Sequence, residues 1–150
     1  MRLALYQPDI PQNVGAAIRA AACFGAELDI IAPCGFPLDS RKIGRVAMDY
    51  GNLATPTIHD GWSQFVEATK PSRLILLTTK ASETIWDYAF KSNDIILMGR
   101  ESAGAPDEVH AAVDARRRIP LAAEARSLNI TVAAAVALAE ARRQIGWDAI

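Results

Sequence analysis

Apolar residues along this chain fall in short continuous runs rather than alternating stripes. Arg2 to Tyr6 (RLALY), Glu27 to Ala32 (ELDIIA), Arg73 to Thr78 (RLILLT) and Asp94 to Met98 (DIILM) are such runs. Runs of this length predict strands buried on both faces. Thr57 to His59 and Arg117 to Pro120 predict two shorter strands. Helical patterns lie between them. Pro8 and Pro11 break the first strand, and an Ala-rich helix follows from Asn13, its N-cap, to Phe24, closed by Gly25. Further helices are predicted over Arg41 to Tyr50, over Trp62 to Thr69 with Trp62, Phe65 and Val66 inward, over Asp107 to Val113, and over Ser127 to Ile145. Strands alternating with helices predict an α/β fold: a parallel sheet with helices on both faces. Ligands of such a sheet bind beyond the carboxyl ends of its strands. That directs attention to the loops after Leu77, Met98 and Ile119.

Composition narrows the class. The 150 residues carry no repeat and no Gly/Ser-rich linker, so a single domain over 1–150 is expected. No apolar run approaches the roughly 20 residues of a membrane span, and the N-terminus runs straight into a strand, so no membrane partner and a cytoplasmic setting are expected. Cys23 and Cys34 make neither a disulfide framework nor a metal-ligand cluster, so no metal is expected. The net charge of −1 argues against broad, non-specific nucleic-acid binding, which needs a large positive field. Local patches remain: Arg41, Lys42 and Arg45; Arg116, Arg117 and Arg118; Arg142 and Arg143. Each is a ligand-facing patch or simply a solvated face.

The loops carry the candidate chemistry. Gly99 to Pro106 (GRESAGAP) has two glycines five apart after an apolar strand, which suits a tight turn or a close backbone approach to a ligand. It matches a P-loop in spacing only, because Ala105-Pro106 stands where Lys-Ser/Thr is required. Glu101 in it is a loop anchor or orders a cofactor. No G-x-G-x-x-G follows any strand. In Arg126-Ser127-Leu128-Asn129, Ser127 is a helix N-cap or a ligand contact, and Asn129 offers an amide that both donates and accepts. The small apolar stretch Ile130 to Leu138 suits a close-packed helix face. Near the N-terminus, Gly15 allows close approach, and Arg19, read as close to a helix start, opposes the helix dipole; it binds phosphate or carboxylate, or is a surface Arg. His59, after a strand, and His110, on a helix surface, lie in none of these motifs.

Taken together, these segments resemble the SPOUT superfamily of RNA methyltransferases, and within it the small branch that methylates the ribose of the tRNA wobble nucleotide. The similarity spans essentially the whole chain. It is carried by Tyr6 to Gly15 (YQPDIPQNVG) with Arg19, Ile31 to Phe36 (IAPCGF), Asp49-Tyr50, Leu77-Thr78-Thr79-Lys80, Gly99 to Pro106, Ile119-Pro120 with Arg126 to Asn129, and Glu140 to Gln144 (EARRQ). Arg100, Ala103, Val132 and Ala139 stand where the family often has Pro, Arg, Asn and an aromatic residue. These departures bear on RNA contacts more than on cofactor binding.

The resemblance implies a trefoil knot in the C-terminal third and S-adenosyl-L-methionine as cofactor. Carried over residue by residue, the cofactor-binding positions are Leu77, Thr78, Gly99, Glu101, Gly104, Ile119, Ser127 and Leu128. The catalytic positions are Arg19, Ser127 and Asn129. An Arg stays charged and is a poor base, so Arg19 is better suited to holding a phosphate or stabilising a developing alkoxide. The implied reaction moves a methyl group to the 2′-hydroxyl of nucleotide 34, a cytidine or modified uridine. The implied partners are a tRNA anticodon stem-loop and a second copy of the chain, in a homodimer whose sites are completed across the interface. Methylation of another RNA such as rRNA, or a non-enzymatic RNA- or nucleotide-binding role, are the alternatives.

Overall fold

A computed structural model describes residues 1–38 and 55–147. The predicted helix over 41–50, the Arg41, Lys42 and Arg45 patch and the Asp49-Tyr50 marker lie outside those residues. Six strands form one sheet: β1 (Arg2–Tyr6), β2 (Glu27–Ile31), β3 (Thr57–His59), β4 (Leu74–Leu77), β5 (Ile95–Met98) and β6 (Ala115–Arg117). Their spatial order is β3-β2-β1-β5-β4-β6, and every pairing is parallel. The helices are α1 (Pro11–Cys23), α2 (Trp62–Thr69), α3 (Asp107–Ala112) and α4 (Ile130–Ile145).

Successive strand residues point to opposite faces. Leu3, Leu5, Leu28, Ile30, Ile96 and Met98 meet Val14 and Ile18 of α1 and Ala134 and Leu138 of α4 on one side. Ala4, Tyr6, Ile31, Leu76, Ile95 and Leu97 meet Phe65 of α2 and Val109 of α3 on the other. Both faces are therefore dry, which is why the strands read as unbroken apolar runs. Among the described residues three carboxylates are buried, Asp29, Asp94 and Glu140, and the first two belong to the sheet. Asp29 accepts from Arg2 Nε and Nη2 at 2.7 Å each and lies 2.7 Å from His59 Nε2. Asp94 accepts from Arg73 Nε at 2.8 Å and Nη2 at 2.7 Å. His59 thus ends β3 rather than following it, and its buried ring serves the ion cluster.

Several boundaries differ from expectation. The first helix starts at Pro11, with Ile10 as an N-cap that supplies no side-chain bond. Proline is well placed there because the first helical N–H has no partner to lose. Arg19 then lies in the third turn of the helix, so the argument from the dipole at a helix start does not apply to it. The last helix starts at Ile130, and its cap is Asn129, which accepts from the amides of Thr131 at 2.9 Å and Val132 at 3.3 Å. Ser127 lies before the helix and is not its cap. Arg142 is no surface cation: it is 2% exposed and donates to the Phe24 and Gly25 carbonyls at 2.6 and 2.7 Å. It closes the C-terminus of α1, where a cation also meets the negative end of the dipole. Arg143 pairs with Glu140 at 2.8 Å.

The edge strand β6 runs two residues earlier than predicted, and its continuation is held from two sides. Thr78 N donates to Arg117 O at 2.9 Å, while Arg118 N donates to Glu83 O and Ile85 N to Arg118 O, each at 3.0 Å. The chain that follows β4 therefore flanks residues 117–118 on both sides before the chain turns back to α4.

Candidate active site

At the carboxyl ends of β4, β5 and β6 the chain encloses an open cavity of about 470 Å³. That is within the range of small-molecule sites. Leu77, Thr78 and Thr79 come from the end of β4, Met98 and Gly99 from the end of β5, and Ile119 and Leu121 from beyond β6. Ser127, Leu128, Asn129 and Ala133 close it from the α4 side, with Ile10 and Asn13 from the α1 side. All eight positions expected to bind a cofactor line this cavity, together with Asn129. Arg19 does not: it is exposed on α1 and is not among the lining residues.

The loop after β5 is shaped by its glycines. A Cβ on Gly99 would sit 2.6 Å from Ala105 N and from the Gly104 carbonyl carbon, so the loop folds directly against that position. Gly104 has φ +68°, a left-handed backbone that side chains disfavour. Arg100 and Gly104 exchange backbone hydrogen bonds of 3.0 and 2.9 Å, which closes the turn. The segment is both a tight turn and a cavity wall.

Polar side chains tie the three motif segments together. Glu101 accepts from the Asp9 amide at 2.7 Å and from Asn13 Nδ2 at 2.9 Å. Asn13 Oδ1 accepts from Asn129 Nδ2 at 3.1 Å, and the Asn13 carbonyl accepts from the Thr131 hydroxyl at 3.2 Å. Asn13, expected to cap α1, instead bridges Glu101 and Asn129. Beside it, Arg100 Nη2 donates to Asp9 Oδ1 at 2.7 Å, and Ser102 N donates to Asp9 Oδ2 at 3.1 Å. The bond from Arg100 foremost, then those from the Ser102 hydroxyl and amide, hold the Asp9 carboxyl down at about 2. The pair stays ionised at neutral pH. Burial pushes the Cys34 thiol up to about 11, with Glu101 adding to the effect, so it is a protonated filler rather than a nucleophile.

Sequence reasoning did not find Ile10, Met98, Leu121 or Ala133 as lining residues, nor the Asp9–Arg100 pair. These partners are distant in the chain and meet only through the fold. One signal was available for Asn13: a Pro two residues earlier that suits the first position of a helix. Among the described residues, no group of three or more His, Cys, Asp or Glu could hold a metal ion. No helix among them is long and apolar enough to cross a membrane.

The model of the SpoU rRNA Methylase family matches residues 1–139. The chain is 51% identical over 148 residues to a tRNA (cytidine(34)-2′-O)-methyltransferase of Beijerinckia indica, covering 96% of this chain and 91% of that one. Its fold is similar to a structure described as giving insights into 2-OH methylation of C/U34 on tRNA, with a TM-score of 0.89, 39% identity, and 95% and 94% of the two chains covered. It is also similar to the SpoU methyltransferase AviRb of Streptomyces viridochromogenes in complex with the cofactor AdoMet, with a TM-score of 0.85, 26% identity, and 96% of this chain and 60% of that one covered.

Proposed function

The chain belongs to the SpoU rRNA Methylase family, and from that premise we propose that it transfers a methyl group from S-adenosyl-L-methionine to the 2′-hydroxyl of nucleotide 34 in tRNA. The observation that carries this reading is the convergence of Leu77, Thr78, Gly99, Glu101, Gly104, Ile119, Ser127 and Leu128 on one cavity at the strand ends. The cavity suits the cofactor on physical grounds. Its Gly99 wall admits only backbone, and Ile10 and Leu128 leave apolar surface at 42% and 38% exposure for a ligand to cover.

The cofactor supplies an activated methyl group on a sulfonium. The chain's part is orientation and exclusion of water. Leu77, Gly99, Ile119 and Leu128 would hold the cofactor, with the Ser127 hydroxyl available to a polar group of it. Asn129, fixed by its bond to Asn13, orients the acceptor ribose. Arg19 holds the phosphate beside that ribose or stabilises the developing alkoxide. Because Arg19 lies outside the cavity walls of its own chain, this role belongs to a homodimer in which each site is completed by the partner, with the anticodon stem-loop bound across both chains. The flanking of residues 117–118 by Thr78 and by Glu83 with Ile85 supports a C-terminal trefoil knot, and the single six-stranded sheet supports one domain over residues 1–150.

Two measurements test the reading. Titration calorimetry with S-adenosylhomocysteine is expected to give saturable binding, and no heat of binding would remove it. Mass spectrometry of tRNA from a deletion strain is expected to show loss of the 2′-O-methyl group at nucleotide 34. Unchanged methylation there would transfer the activity to another RNA.

A further inference from the structure

An amide side chain can be turned either way about, and its neighbours decide which end faces where. At the cavity wall they decide it for Asn129. Its Oδ1 accepts from the Thr131 and Val132 amides at 2.9 and 3.3 Å. A side-chain carbonyl oxygen has two lone pairs, and both are taken. Its Nδ2 donates to Asn13 Oδ1 at 3.1 Å. The reverse orientation would set Nδ2 against two backbone N–H groups and Oδ1 against another oxygen. All three bonds would be lost.

The far end of the network turns Asn13 in the matching sense. Glu101 Oε1 accepts from Asn13 Nδ2 at 2.9 Å, and Oε2 accepts from the Asp9 amide at 2.7 Å. Both carboxylate oxygens are acceptors here, so Asn13 must present Nδ2 to Glu101 and Oδ1 to Asn129. The sense of every bond from Glu101 to the first turn of α4 is therefore set twice, by a carboxylate at one end and by helix amides at the other. The Thr131 hydroxyl donates to the Asn13 carbonyl at 3.2 Å and holds the two helix starts together.

Three bonds to described residues thus leave the Asn129 side chain one N–H and no acceptor for a ligand. Asn129 is exposed and lines the cavity, so that N–H is available at its wall. In sequence the amide offered both a donor and an acceptor; in the fold only the donor is left. A donor held in place before the ligand arrives costs no reorganisation when the ligand binds.

We propose that Asn129 serves the acceptor ribose only as a hydrogen-bond donor to one of its oxygens, and that Glu101 and Asn13 are positioning residues that impose this sense. The proposal rests on the reading of the chain as a tRNA methyltransferase, and adds the polarity of the contact and the residues behind it. Every ribose oxygen can accept such a bond. Asn129 has no group that can take the 2′-hydroxyl proton, which leaves by another route.

The test is turnover on tRNA from a deletion strain at saturating cofactor, beside titration with S-adenosylhomocysteine. Asn129→Asp keeps an oxygen for the α4 cap and removes the donor. Its kcat should fall at least about tenfold, while S-adenosylhomocysteine affinity stays within about threefold. Asn13→Asp sets a carboxylate against Glu101, and Glu101→Gln sets an N–H against that of Asn13 or Asp9. Each should lower kcat at least about fivefold. The double variant Asn13→Asp, Glu101→Gln exchanges acid and amide at unchanged net charge. The Gln oxygen keeps the Asp9 amide, its Nε2 donates to the carboxylate at position 13, and that carboxylate still accepts from Asn129. Its kcat should recover to within about threefold of wild type. A double variant no more active than the worse single one overturns the positioning role, and wild-type kcat in Asn129→Asp overturns the donor role. Lost S-adenosylhomocysteine affinity in Asn129→Asp, with kcat unchanged, would give the N–H to the cofactor carboxylate, and the proposal would be wrong. Wild-type chain that does not methylate tRNA overturns the methyltransferase reading instead.

Discussion

At the scale of single residues, the two glycines of the loop after β5 are constrained for different reasons. Gly99 has no room for a Cβ, which would lie 2.6 Å from backbone atoms of Gly104 and Ala105. Gly104 has open space but a φ of +68°. Gly99→Ala must therefore move the cavity wall, and is expected to weaken S-adenosylhomocysteine binding by at least about tenfold, the equivalent of the 1–3 kcal/mol typical of overpacking. Gly104→Ala should cost about 1 kcal/mol of stability from its left-handed backbone, with a smaller effect on affinity. Calorimetry and thermal unfolding of the two variants separate the effects; equal losses of affinity would contradict the distinction. The spacing of these glycines was legible in the sequence, but their separate causes were not, since the colliding atoms appear only when the turn has closed. Glu101 shows the same limit. Both of its sequence readings survive, because the side chain anchors Asp9 and Asn13 and also lines the cavity. Its partners lie near the other end of the chain, where no local pattern reaches.

At the scale of elements, the strands buried on both faces were the legible part. β1, β2, β4 and β5 fall within one or two residues of expectation because an unbroken apolar run has few other uses in a chain of this size. The edge strand β6 was displaced because its side chains, Ala115 to Arg117, are partly exposed and carry no such run. The end of α1 illustrates what composition hides. Arg142 and Arg143 are adjacent in sequence, yet the first is buried under the Phe24 and Gly25 carbonyls while the second is exposed and reaches back to the buried Glu140 carboxylate. Arg142→Met keeps the bulk and removes the donors. It should destabilise the chain by about 2 kcal/mol, as expected for losing charge-assisted hydrogen bonds, or roughly 6 °C in Tm at this size. Arg143→Met leaves the buried Glu140 carboxylate its bond from Gln144 Nε2 and should cost less, roughly 1 kcal/mol or about 3 °C in Tm. Differential scanning calorimetry of both checks the contrast, and equal shifts would return Arg142 to the surface patch that the sequence suggested.

At the scale of the whole molecule, the cavity is assembled from segments near both ends and the middle of the chain. Its walls take residues from the start of α1, from the loops after β4 and β5, and from the segment between β6 and the first turn of α4. The sequence indicated which loops to examine, since strand ends are where such sheets bind ligands, but it could not indicate that Asn13 and Asn129 touch. The flanking of residues 117–118 also gives the fold a chronology. Thr78, Glu83 and Ile85 must be in position before Arg117 and Arg118 can find hydrogen-bond partners on both sides. A ribosome releases them in that sequence, so the tail arrives at a berth already built. Pulse-labelled hydrogen exchange during refolding should accordingly protect the amides of Leu76 and Ile96 before those of Arg118 and Ala133; the opposite order would mean the tail docks first and the berth closes around it. For the cell this makes the last part of the message the step that closes the cavity, and a nascent chain stalled before Arg117 would hold most of a sheet but no closed cavity.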